Sequence, residues 1–333
     1  MERNGIAVAG NILTDNVKII EVYPQKGMLA SITEEHLGVG GCVPNTGIDL
    51  KKIDCQLKVC ALGKIGNDEK GKFVLNEMQK IGLDVSGVKV SETAPTSYSD
   101  VMTVKSTGER TFFHNRGANA WFCPDDVELE NLSCKILHLG YLMLLDSFDK
   151  IDEKGNTPAG KFLQRARLLG IKTSVDMVSE SSGNFNKVAQ SALKFCDYVI
   201  INEIEVGQIA NLAVRDIDGN LIEQNVEKAM QKVLKMGVRE KVIVHCPEKA
   251  FCLGTNGEFT AVLSIRIPKD YIKGSVGAGD AFCAGALYGI YNDYSQQQIL
   301  SFANAVAVSC LSQPDSVSGV RSKKEIEKLI NEL

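Results

Sequence analysis

Apolar residues in this chain come in short blocks whose spacing shifts between two rhythms, that of strands and that of helices. Residues 6–9 are an apolar run closed by Gly10-Asn11, the pattern of a buried strand. Residues 17–36 alternate more loosely. Val17, Ile19, Ile20 and Val22 precede the turn signal Tyr23-Pro24-Gln25-Lys26-Gly27, and Met28, Ala30 and Ile32 follow it, as in two half-exposed strands. Residues 57–62 read as a second buried strand. Residues 71–81 read as a helix, with Val74, Met78 and Ile81 on one face and Gly82 ending it. Between 96 and 115, Tyr98, Val101, Met102 and Val104 lead into a turn at Ser106-Thr107-Gly108-Glu109 and out through Thr111-Phe112-Phe113, which predicts a hairpin.

From Lys135 onward the rhythm becomes regular. Strands are expected at 136–139, 171–175 (ending at Asp176), 198–201 and 242–244. Helices are expected at 159–169, at 187–195, from 203 and at 221–236, the last with Ile222, Val226, Ala229, Met230, Val233 and Leu234 on its apolar face. Such alternation implies an α/β fold, a mostly parallel central sheet covered by helices on both faces. No repeat, linker or low-complexity stretch divides the chain, so residues 1–333 are read as one domain. Residues 15–38 and 95–116 are expected to pair as a small β-sheet lid. One face of such a sheet needs cover, from substrate or from a second subunit.

Composition narrows the class. An apolar content of 44% and a charged content of 23% are ordinary for a globular protein. The formal charge of −4 argues against a nucleic-acid binder held by bulk electrostatics. No run reaches membrane-spanning length, and the first apolar run is too short for a signal sequence. The ten cysteines include no C-x-x-C pair and the four histidines are scattered, so zinc-type spacing is absent. Cys60, Cys196, Cys283 and Cys310 sit in apolar company, as buried free thiols of a cytoplasmic protein would.

The candidate chemistry gathers near the C-terminal end. In Gly274-Ser275-Val276-Gly277-Ala278-Gly279-Asp280, small residues lead to one carboxylate, and an apolar helical run follows. Three glycines within six residues let backbone approach a ligand, and the amides of a helix N-terminus favour an anion. Asp280 is either a helix cap or a base beside that anion site. Asp15 is either a turn residue or a ligand contact just past the first strand. Residues 38–50 hold a Gly-Gly pair and Asn45 at a helix start, and Asn202-Glu203-Ile204-Glu205 follows the strand at 198–201. Residues 66–73 nearly match a P-loop. Phe73 stands where that motif needs Ser or Thr, however, and Asp68 and Glu69 would face phosphates, so a helix-starting loop is the better reading.

Gly277-Ala278-Gly279-Asp280-Ala281-Phe282, followed by Ala284-Gly285, resembles the signature of the ribokinase-like (PfkB) carbohydrate kinases. The resemblance runs in the family's motif order from Asp15 to Asn304. It implies a ribokinase-like fold and ATP-dependent phosphotransfer to a hydroxyl of a small sugar or sugar-like substrate. The amides of Gly277, Ala278 and Gly279 would form the anion hole, and Asp280 would deprotonate the hydroxyl that attacks the γ-phosphate. Asp15, Gly41, Asn45, Asn119 and Arg116 would hold the sugar. Asn202, Glu205, His245 and Asn304 would line the ATP site, with Glu205 holding Mg2+ through water. The lid would mediate a homodimer. Two positions depart from the family pattern. Gly274 replaces an Asp that helps hold a monovalent cation in some members. His245 and Pro247 replace the Thr and Gly of a Thr-x-Gly loop at the nucleotide phosphates. The alternatives are a nucleoside kinase of the same fold and a sugar-binding protein that has lost turnover. A dinucleotide oxidoreductase would need G-x-G-x-x-G after the first strand, where Gly10 is followed by Asn11-Ile12-Leu13.

Overall fold

The computed structural model describes residues 3–179 and 184–332. The first third of the chain builds β1 (Ile6–Ala9), β2 (Leu13–Ile20), β3 (Ile32–Gly40), α1 (Cys42–Ile53), β4 (Val59–Gly66), α2 (Glu69–Lys80), β5 (Asp84–Ser91), β6 (Ser97–Val104) and β7 (Arg110–Asn115). The middle adds β8 (Ile136–Leu142), a short α3 (Asp146–Asp149), α4 (Pro158–Leu168), β9 (Lys172–Met177), α5 (Phe185–Leu193), β10 (Tyr198–Asn202), α6 (Glu203–Ala210) and α7 (Glu223–Lys235). The last part supplies β11 (Lys241–His245), β12 (Lys249–Gly254), β13 (Phe259–Leu263), α8 (Ala278–Tyr291), α9 (Gln296–Cys310) and α10 (Lys323–Glu332).

Nine strands form one sheet in the order β13-β12-β11-β10-β9-β8-β1-β4-β5. Pairing is parallel from β11 to β5, and β12 and β13 add an antiparallel edge. Its central strands are covered on both faces, which is why they read as continuous apolar runs. Leu137, Leu139, Val199 and Val242 pack with Leu163, Ala192, Val206 and Met230 of α4 to α7. Ile6, Val8, Ile200 and Ile243 pack with Leu50, Phe282, Leu287 and Phe302 of α1, α8 and α9. The expected α/β architecture is therefore the one observed.

The second sheet has four strands in the order β3-β2-β6-β7. It joins both loosely alternating segments into the expected lid. Its central pair, β2 and β6, is parallel, and the outer pairs are antiparallel. Asp68 caps α2 by accepting from the Gly71 amide at 2.8 Å and also binds the Thr96 hydroxyl, so the rejected P-loop segment ties α2 to the entry of β6.

Several expectations need correction. Asp15 does not lie in a loop after β1: it is the third residue of β2, inside the lid. The strand expected to end at 62 continues to Gly66, because its glycines stay extended against β5. Strands β5, β12 and β13 gave no sequence signal. β5 is a sheet edge rich in polar residues, and β12 and β13 are joined by the polar turn Thr255-Asn256-Gly257. Cys60 is half-buried rather than enclosed, and all ten cysteines are free. No helix of the described residues is long and apolar enough to cross a membrane.

Candidate active site

Gly277 turns the chain into α8 with φ +78°, a conformation that disfavours any side chain. A Cβ there would fall 2.6 Å from the Ser316 Cα and closer still to the Ser316 carbonyl oxygen. The turn places the start of α8 against a cavity of about 340 Å³. Gly277, Gly279 and Asp280 line it, whereas Ala278 does not, and the Ala278 amide reaches the Ser275 carbonyl at 3.4 Å.

Asp280, 5% exposed in the first turn of α8, is held from two directions. Asn45 Nδ2 and the Tyr141 hydroxyl each donate to its Oδ2 at 2.8 Å. Asn45 is fixed in turn, because Ser316 Oγ donates to its Oδ1 at 2.9 Å. Tyr141 adopts φ +58°, rare for an aromatic residue, and its backbone N–H donates to Asp176 Oδ1. Burial pushes the Asp280 carboxyl up to about 7, and the charge of Asp176 adds to the rise. The hydrogen bonds from Asn45 and Tyr141 and the charge of His138 oppose it.

The opposite wall starts α6. Asn202 and Glu205 form a reciprocal capping box, with the Glu205 amide donating to Asn202 Oδ1 at 2.9 Å and the Asn202 amide to Glu205 Oε2 at 3.0 Å. Ser179 donates to the other Glu205 oxygen at 2.9 Å. Burial pushes the Glu205 carboxyl up to about 7, with smaller contributions from Asp176 and Glu203. His245 lines the same cavity with its ring 4.7 Å from that of Phe282, and burial holds its imidazole down at about 4. It is therefore neutral at pH 7.

The remaining candidates lie toward the lid. Asp15 sits over Gly40, where a side chain would collide with its carboxylate. Burial raises the Asp15 carboxyl to about 6 against a hydrogen bond from Ser99 and the charge of Arg110. Gly41 precedes α1 at φ +89°, pressed so close to Asn11 that a Cβ would lie 2.5 Å from its carbonyl oxygen. Asn119 Oδ1 accepts from the Ile12 amide at 3.1 Å. Its Nδ2 and the Oδ1 of Asn11 are buried without a hydrogen-bond partner. Arg116 is paired with Asp146. Asn304 stands apart: its amide donates to the Leu263 carbonyl at 3.4 Å, and it does not line the cavity. Gly274 offers no side chain, and a Cβ there would lie 2.8 Å from the Pro314 carbonyl oxygen.

Sequence reasoning missed Asn11, Tyr141, Ser179 and Ser316 and used Asp176 only as a strand end. Asp176 and Asn11 lie at the carboxyl ends of sheet strands, where open α/β sheets bind ligands, so position alone signals them. Nothing in the sequence marks Tyr141, because its role depends on an unusual backbone angle.

The chain resembles known proteins over most of its length. The profile described as pfkB family carbohydrate kinase matches residues 6–323. Ribokinase from Arabidopsis thaliana is 23% identical over 327 residues, 98% of this chain and 80% of that protein. A 5-dehydro-2-deoxygluconokinase from Shouchella clausii is 24% identical over 302 residues, 88% of this chain and 86% of that protein. The structure of Arabidopsis thaliana ribokinase complexed with ribose and ATP shares the fold at a TM-score of 0.82 and 20% identity, covering 98% of this chain and 99% of that one. A nucleoside kinase from Methanocaldococcus jannaschii shares it at 0.77 and 15%, over 100% of each chain. With the family profile spanning nearly all of the sequence, the chain belongs to the pfkB family of carbohydrate kinases, phosphotransferases with an alcohol group as acceptor.

Proposed function

We propose that this kinase transfers the terminal phosphoryl group of ATP to a hydroxyl of a small sugar or sugar-like molecule, with Asp280 as general base. The observation that carries the reading is a buried carboxyl, raised to about 7, fixed by Asn45 and Tyr141 at the start of α8. A base of that strength accepts a hydroxyl proton near neutral pH. The amides of Gly277 and Gly279 face the oxygens of the transferring group, where charge grows, and that of Ala278 joins them once it leaves the Ser275 carbonyl. Asp15, Gly41, Asn45, Asn119 and Arg116 hold the sugar, and the unpartnered polar atoms of Asn11 and Asn119 favour a polyhydroxylated ligand. Asn202, His245 and Asn304 serve the nucleotide. The cavity offers carboxylate and amide oxygens from Asp176, Glu205 and Asn202, a donor set suited to Mg2+ held through water, which would neutralise phosphate charge. Closure of the lid excludes water.

ADP release coupled to a reporter, with ATP and Mg2+, tests this reading across ketoses, aldoses, sugar acids and nucleosides. Turnover confined to nucleosides would replace the sugar, and no turnover with retained sugar binding would sink the kinase reading. The pH profile adds a second check. Asp280 acts unprotonated, so kcat/KM should rise with pH through about 7. Asp176→Asn removes a charge that favours the protonated form and should move that limb to lower pH.

The lid carries exposed Ile32, Leu37, Phe112 and Phe113, and we propose that a second copy covers them in a cytoplasmic homodimer. Light scattering that gives a monomer at micromolar concentration, with and without sugar, would overturn that assembly.

A further inference from the structure

Beneath the cavity, three side chains of metal-ligating type converge from three elements that are distant in sequence. His138 lies on β8, Asp176 at the end of β9, and Cys283 on α8, one turn beyond Asp280. His138 Nε2 is 3.4 Å from Asp176 Oδ2 and 3.5 Å from Cys283 Sγ, and one ligand atom of each of the three lies within 4.8 Å of the others. All three residues are buried. A tetrahedral ion with bonds of about 2.0–2.3 Å separates its ligands by about 3.3–3.6 Å, so the two measured edges already fit.

We propose that His138, Asp176 and Cys283 form a site for a zinc-type transition-metal ion, joined to the phosphotransfer centre. The surroundings supply what such a site requires. His138 Nδ1 is 3.0 Å from Ser174 Oγ, its register partner across β8 and β9, so Nδ1–H can donate there while Nε2 faces the ion. Asp176 keeps its other oxygen on the Tyr141 amide, which orients the carboxylate. Asp176 and Cys283 also line the cavity, which gives the ion an entry path and leaves the fourth position open to water or a phosphate oxygen.

Charge favours the same occupant. The groups bonded to the buried carboxyls of Asp176 and Asp280 are His138, a tyrosine hydroxyl, an asparagine amide and a backbone amide. Among the described residues, none is a lysine or arginine. A divalent ion would offset that negative charge. Binding transfers the thiol proton to the buffer and forms a metal–thiolate bond. The thiolate and imidazole select zinc, cobalt or cadmium over Mg2+. An ion here also lowers the proton affinity of Asp280, and so its strength as a base.

The test requires no turnover, so its failure leaves the kinase reading standing. Chelator-stripped protein is titrated with Co2+ in a large excess of Mg2+. One equivalent should bind with a thiolate-to-cobalt charge-transfer band, release about one proton, and yield to Zn2+. Cys283→Ser and His138→Gln should abolish the band, and Cys55→Ser, at an exposed thiol, should leave it intact. If the buried substitutions unfold the protein, X-ray absorption of the zinc-loaded wild type decides. One sulfur among nitrogen and oxygen neighbours is expected, and none or several would overturn the site. A band that survives Cys283→Ser would put the ion on another thiol, and no band would show a hydrogen-bond network only; either result overturns the site.

Discussion

Replacing Asp280 by asparagine is expected to lower kcat by about 10²–10⁴-fold, the usual contribution of a positioned general base. The residue keeps its shape and loses only its basicity, so KM for the sugar should change little. Stability should move the other way. The folded carboxyl is raised from 3.8 to about 7, so the unfolded chain releases this proton more readily than the folded one. Ionising Asp280 therefore costs the fold stability above pH 7, and that cost fades as pH falls from 7 toward 4. Asp280→Asn should accordingly melt no lower than the wild type at pH 8. A mutant that melts early and loses activity in step would point to a structural role instead. Full activity in a folded mutant would remove Asp280 from the mechanism.

The second large effect is expected from Gly277→Ala. One added methyl meets the Ser316 backbone and requires an alanine at φ +78°, and neither can be relieved by a side-chain rotation. The αL conformation alone costs about 1–2 kcal/mol, and the start of α8 must shift to clear Ser316. Moving amides aimed at a transferring phosphoryl group should cost about 10²–10³-fold in kcat. Gly279→Ala is the control. Its Cβ would meet nothing nearer than His245 Cε1 at 3.7 Å, so the fold and melting temperature should hold. Steady-state kinetics and thermal melts of both variants decide the matter. An active Gly277→Ala protein would dismiss the anion hole.

Much of this was legible in the sequence, for reasons that differ by residue. Runs such as 198–201 and 242–244 announced the buried parallel strands because both faces are covered. The Gly-Ala-Gly-Asp stretch announced itself because a tight turn, a helix start and a carboxylate must be contiguous. Asn202 and Glu205 were legible because a capping box is local. What stayed hidden depends on distance in the chain. The amide of Asn45 bridges Asp280 and Ser316, residues no local pattern could pair with it. Tyr141 reaches the site through one strained backbone angle. The polar edge strand β5 and the hairpin of β12 and β13 lack the apolar runs that reveal central strands.

The parallel pairing at the centre of the lid bears on how the protein is made. Leu13 to Ile20 align with Ser97 to Val104, so β2 has no inner neighbour until some 84 further residues have been synthesised. Until then β2 and β3 form at most a lone hairpin, which is marginal in water. Such nonlocal pairing is slow, because a long loop must close before any contact rewards it. Tyr141 and Asn45 wait longer still, since Asp280, to which both donate, follows them by 139 and 235 residues. No nascent fragment therefore holds a working site. Recovery of activity on refolding should lag behind recovery of helical signal, making turnover a stricter measure of native protein than circular dichroism.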